Sequence, residues 1–173
     1  MQHTSIASSG ERIIASLWDS LVFLPFITLD RYVDHTESQL LIFLYFGVTW
    51  QLGWLYSTLL HGYRGQTLGK IRVRIQVVRS SDGSPISYRR AALRDLPYII
   101  LVLVATGFWI HSYIAWFGGW FSEDDAAVAE QVFSVVLELN IGWVLLECVS
   151  MLFHPQRRAI HDLIAGTIVI RKP

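Results

Sequence analysis

Apolar positions in this chain gather into long unbroken runs instead of alternating with polar ones. A window of about 19 residues finds four such runs, each near the roughly 20 residues that cross a hydrocarbon core. They extend from about Ile13 to Leu29, Leu40 to Leu60, Leu96 to Trp116 and Val132 to Phe153. Open strands would leave backbone groups unpaired in lipid, so all four are predicted as transmembrane helices. Ser8 followed by Glu11 fits a capping box, which predicts that the first helix starts just before Arg12. No small-residue cleavage site follows the first run, so it is expected to stay attached and not to act as a signal peptide.

Composition agrees with the pattern: 53% of residues are hydrophobic and 16% charged, a balance that points to a membrane protein. Formal net charge is zero, which gives no overall field for nucleic acid, but the charges are sorted along the chain. Residues 61–95 hold Arg64, Lys70, Arg72, Arg74, Arg79, Arg89, Arg90 and Arg94 against Asp82 and Asp95, and the tail adds Arg157, Arg158, Arg171 and Lys172. The stretch from Asp30 to Glu37 has one arginine, and the one carrying Glu123, Asp124, Asp125 and Glu130 has none. The positive-inside rule makes 61–95 and 154–173 a cytoplasmic platform and puts both termini inside, as in a bacterial inner-membrane protein. The platform's basic residues are expected to meet anionic headgroups at about 1 kcal/mol per charge.

Within the platform, RVRIQVV from Arg72 to Val78 alternates apolar and polar positions, and the turn-forming SSDGSP follows. TIVIRK near the C-terminus has the same β-branched character, which makes Arg72–Val78 and Thr167–Arg171 candidates for a small sheet. β-propensity alone leaves that pairing open.

Three stretches, RIIASLWD from Arg12 to Asp19, GQTLGKIRVRIQVV from Gly65 to Val78 and RRAIHDLIAGTIVI from Arg157 to Ile170, together resemble the RDD family of small polytopic membrane proteins. That family is named for one arginine and two aspartates. The resemblance assigns the arginine to Arg12, the mid-helix aspartate to Asp19 and the late aspartate to Asp162, next to His161. It assigns the glycine-rich motif to Gly65, Gln66, Thr67, Gly69 and Lys70, and the end of the last motif to Gly166. It implies an all-α membrane fold, with a small cytoplasmic strand element, forming one domain over residues 1–173. Some family members are reported as monovalent cation/proton antiporters, so the resemblance also implies that exchange.

Ionisable groups at membrane depth cost roughly 2.5–3.5 kcal/mol each on insertion scales, and each calls for a partner or a purpose. The candidates are Asp19, His111, Glu138 and Glu147. Counting helical rise puts Asp19 and Glu147 at about 9–10 Å from the cytoplasmic side, and His111 and Glu138 at about 22 Å. Gln51 and Asn140 fall between these levels and offer amide oxygens. Such a ladder predicts a route for protons and hard cations, with Asp19 and Glu147 as an inner exchange site and His111 and Glu138 as an outer station. Against it, Glu138 and Glu147 lie about 180° apart around one helix and cannot face one narrow pore. One of them can instead serve a subunit contact, and a transporting form is expected to be a homo-oligomer. The rival expectation is a non-transporting interaction or assembly subunit, binding a membrane-protein partner through the basic platform.

Other chemistry is set aside. GYRGQTLGK lacks the glycine and the Ser or Thr that a phosphate loop needs, Arg64 and Ile71 standing there instead. His154, His161 and Asp162 lack the companions of a zinc site, and Asp162 is better read as accepting hydrogen bonds from the cytoplasmic loop or pairing with Arg12. No nucleophile arrangement is present, so neither an enzyme nor a cofactor is expected. Cys148, the single cysteine, lies in an apolar run and reads as a structural thiol.

Overall fold

A computed structural model describes residues 5–172, apart from the side chains of Asp34 and Glu123. The order is α1 (Ser9–Val22), α2 (Leu24–Asp34), α3 (Gln39–Arg64), α4 (Leu68–Val73), β1 (Ile75–Arg79), α5 (Tyr88–Phe117), α6 (Glu123–Phe153), α7 (Ile160–Ala165) and β2 (Thr167–Arg171). Three helices, α3, α5 and α6, are long and apolar enough to cross a membrane, and α1 with α2 makes a fourth span if that bent pair is counted as one.

The first run departs from the single helix expected over Ile13–Leu29. It breaks at Phe23, with a 40° bend between α1 and α2. Pro25 sits in the first turn of α2; it has no N–H to give the preceding turn, and its ring displaces the carbonyl four residues back. The capping box at Ser8 and Glu11 does start α1.

The third run also differs, since α5 begins at Tyr88, capped by Ser87, well ahead of Leu96. The segment RRAALRD is rich in strong helix formers, but its charges exclude it from a hydropathy window. Arg94 and Asp95 are therefore helical residues at the base of the bundle and not part of a loop.

The base is built from one unit used twice. In both α4–β1 and α7–β2, a six-residue helix ends at a single left-handed residue and leads into a five-residue strand; that residue is Arg74 (φ 59°) in the first unit and Gly166 (φ 64°) in the second. The strands pair antiparallel, with Ile75 opposite Arg171, Val77 opposite Val169 and Arg79 opposite Thr167, which settles the pairing that propensity left open and relates the units by a near two-fold. The segment ahead of α1 extends the sheet, Ala7 N donating to Val169 O and Arg171 N to Ser5 O. The buried apolar core, including Ala7, Ala15, Ile75, Val77, Ala91 and Val169, lies where α1 and α5 rest on this platform.

Candidate functional site

The charged residues of the motifs converge at the junction of bundle and platform. Asp162, completely buried in the first turn of α7, is the hub. Arg12 Nη2 of α1 meets its Oδ2, while Arg94 Nη2 of α5 meets Oδ1 at 3.2 Å. Thr167 Oγ1 donates to Oδ1 at 3.0 Å and Ala159 N to Oδ2 at 3.3 Å. Burial alone would raise this carboxyl, but Arg94 and Arg12 outweigh it and hold it well below the usual carboxylate range. Arg12 also donates to Arg157 O, so a single side chain of the first helix holds both the loop before α7 and α7 itself.

A second acid approaches the hub through its neighbour. Glu147 of α6 accepts from His161 N at 3.0 Å, and its Oε2 lies 2.5 Å from His161 Nδ1, out of hydrogen-bond alignment. His161 Nε2 lies 2.7 Å from Arg94 Nη2. A guanidinium can only donate, so Nε2 accepts and the ring proton sits on Nδ1, toward the carboxylate. The chain Glu147–His161–Arg94–Asp162–Arg12 thus joins α6, α7, α5 and α1.

Asp19 has a different set of partners. Thr67 Oγ1 donates to its Oδ2 at 2.6 Å, while Tyr56 Oη and Gly69 N donate to Oδ1 at 2.6 and 2.7 Å. The residues from Gly65 to Lys70 are spaced for this docking. Gly65 closes α3 in the left-handed region at φ 68°, Gln66 is buried and donates to Ile75 O, and Thr67 caps α4. Gly69 lets α4 lie directly on α1, since a Cβ there would stand 2.0 Å from Ala15 O. Lys70 does not run out to solvent as a headgroup contact would. Its ammonium is lowered to about 8 by burial and by the repulsion of Arg94 and Arg12, against the pull of Asp19 and Asp162.

The remaining expected residues lie elsewhere. Asp19 and Glu147, predicted to share a level, take separate partner sets. His111 packs at a tilt against Phe108, ring centroids 6.1 Å apart, and acts on Asp125 near the start of α6. Glu138 is exposed, and Ser134 of its own helix donates to it at 3.3 Å. Gln51 donates to Thr106 and accepts from Trp54. Asn140 lines a cavity of about 310 Å³ with Trp50, Tyr98 and Phe133.

The sequence model of the RDD family matches residues 6–166, which include every one of these contacts except those of the final strand. The chain belongs to the RDD family. No curated protein and no solved structure in the comparisons matches it. In RDD terms, Arg12 and Asp162 join the first helix to the last, and Asp19 joins the first helix to the segment after α3.

One part of the RDD junction carried no motif. Asp95 of α5 accepts from Ser57 and Thr58 of α3 at 3.1 and 2.7 Å, and Ser57 also contacts His61 Nδ1. Its signal was the spacing of Ser57, Thr58 and His61 on one face at the end of α3, opposite an Arg-Asp pair one residue ahead of the next apolar run. Arg94 brings more donors than its neighbours can accept, leaving Nε and Nη1 buried without a protein partner among the described residues.

Proposed function

We propose that this RDD protein is a non-transporting assembly subunit of the bacterial inner membrane, with four spans, both termini and the basic platform in the cytoplasm, and its motif charges used as joints that hold the platform rigid. One observation carries the reading: Asp19 and Asp162 have each oxygen bonded by protein donors and Glu147 is paired with His161. An exchanging carboxylate must open to water and take a cation, whereas the oxygens of Asp19 and Asp162 are already taken by protein donors. The cavity beside Asn140 is walled by aromatic and aliphatic side chains and not by these acids. A rigid platform displaying Arg64, Arg72, Arg74, Arg89 and Arg157 to solvent suits anionic headgroups and an acidic face of a partner protein. Leu68, Ile71, Leu163 and Ile164, exposed on the two short helices, suit the acyl boundary beside those headgroups.

The second reading is monovalent cation/proton exchange. It is favoured by Lys70, a titratable group that feels the pull of both Asp19 and Asp162 and whose ammonium is lowered to about 8. Purified protein in liposomes loaded with a pH-sensitive dye decides between the two. Silence under imposed Na+, K+ and Li+ gradients, from protein shown to be folded, supports the assembly reading. Cation-driven proton flux that Asp19→Asn abolishes would overturn it.

A further inference from the structure

The two carboxylates of α6 have opposite surroundings. Nine residues at 100° each set Glu138 about 180° from Glu147; Glu147 is buried against α7 and Glu138 is exposed. Glu138 also falls inside the apolar run from Val132 to Phe153, where an ionisable group in hydrocarbon calls for a partner or a purpose. Among the described residues its one hydrogen bond comes from Ser134, a turn away on the same helix.

The exposed side of α6 continues this pattern. Ala127, Gln131, Ser134, Glu138, Ile141 and Leu145 are all exposed, and their spacings alternate between four and three residues, the 3.5-residue period of a left-handed helix pair. Next to Glu138 on the following turn, Gly142 has nothing within 4 Å of the place a Cβ would occupy, which leaves room for another backbone to approach. Lipid tails offer no hydrogen bonds to Gln131, Ser134 or Glu138.

We propose that α6 pairs with α6 of a second copy, parallel and two-fold symmetric, along the seam from Ala127 to Leu145 with Glu138 at its centre. The chemistry selects a second copy over an unrelated helix because the seam is self-complementary. A two-fold axis sets each seam residue opposite itself. Gln131 and Ser134 each carry both a donor and an acceptor, so each can bond its own copy across the axis, and Ser134 already holds Glu138 on the same face. A foreign helix bearing one Lys or Arg would answer Glu138 alone. The inference goes beyond the assembly reading and holds whatever the platform docks.

Single-molecule photobleaching of labelled protein in liposomes, diluted over a series of protein-to-lipid ratios, measures the association. Wild type is expected to be dimeric, Glu138→Gln to stay dimeric because the amide keeps hydrogen bonding, and Glu138→Leu to associate at least tenfold more weakly. Oxidation of Ile141→Cys in a Cys148→Ser background is expected to give a covalent dimer, whereas Leu139→Cys, on the opposite side of the helix, gives none. Both readouts use variants checked for the wild-type melting transition. A monomeric wild type, a Glu138→Leu dimer as tight as wild type, or equal cross-linking at 139 and 141 would each overturn the proposal.

Discussion

Arg12 and Asp162 form a buried ion pair across 150 residues of sequence, tying the first helix to the last. Arg94 shares the same carboxylate, so removing the acid strands two buried guanidinium groups. Breaking a buried pair from one side typically costs about 3–5 kcal/mol. Asp162→Asn is expected to lose stability of that order in detergent unfolding experiments, and a loss under about 1 kcal/mol would show the pair to be dispensable. The pH dependence has a definite sign. This carboxyl titrates below its unfolded value of 3.8, so its stabilisation is complete above that value and is lost as pH falls beneath it. Wild type should therefore lose stability steeply below about pH 4, and Asp162→Asn should show a shallower acid limb.

Gly69 brings the backbone of α4 directly against that of α1. A methyl group there would meet Ala15 O at 2.0 Å and the Asp19 carboxyl carbon at 2.9 Å, and neither backbone can yield without moving α4. Gly69→Ala is expected to cost about 1–3 kcal/mol and to loosen the bonds from Thr67, Tyr56 and Gly69 to Asp19. Limited proteolysis near residues 66–74 reads the second effect directly. Unchanged cleavage with unchanged stability would mean that the contact is looser than this geometry.

The parts of the junction visible in the sequence were those whose partners follow from topology. Arg12 at the start of the first helix and Asp162 after the last fall at one membrane face in any even-span layout, so their pairing needed no three-dimensional knowledge. Asp19 shows the limit. Its depth along the helix was readable, but counting rise along straight helices pointed to Glu147, whereas its donors come from Tyr56 and from a segment that folds back under the bundle, Thr67 to Gly69. Arg94 and Asp95 escaped for a related reason: hydropathy marks where a helix enters lipid, not where it begins, and α5 starts eight residues before its apolar window. The bend at Phe23 was encoded in Pro25, a residue that an average over about 19 positions dilutes.

Lys70 gives an alkaline signature opposite to that of Asp162. Burial, with Arg94 and Arg12, lowers its ammonium from 10.5 to about 8. Between those two values the unfolded chain holds a proton that the folded one has released, so stability rises with pH across that window. Because the residue retains some exposure, the expected gain is set at about 1–2 kcal/mol, below what the full shift implies. Lys70→Met should abolish the rise and should match or exceed wild-type stability at neutral pH. Chemical unfolding at intervals from pH 7.5 to 10.5 measures it, and a flat wild-type profile would place the ammonium in water.

The doubled helix–strand unit predicts opposite outcomes at its two left-handed residues. Arg74 occupies φ 59° with an exposed side chain, and the bonds that fix its position are backbone ones, its N donating to Ile71 O and Lys172 N donating to its O. An L-residue pays roughly 1 kcal/mol for that conformation, which glycine avoids, while glycine's freer unfolded chain returns part of the gain. Arg74→Gly is therefore expected to stabilise by about 0.5–1 kcal/mol. Gly166 stands at the equivalent place in the second unit with φ 64°, and a Cβ there would lie 2.9 Å from Arg90 Nη1, which donates to Ala165 O. Gly166→Ala incurs both the conformational cost and the displacement of that arginine, and is expected to lose about 1–2 kcal/mol. Paired melting curves of the two variants in one detergent give the comparison directly. Changes of the same sign would mean that the two units are not held by the same turn.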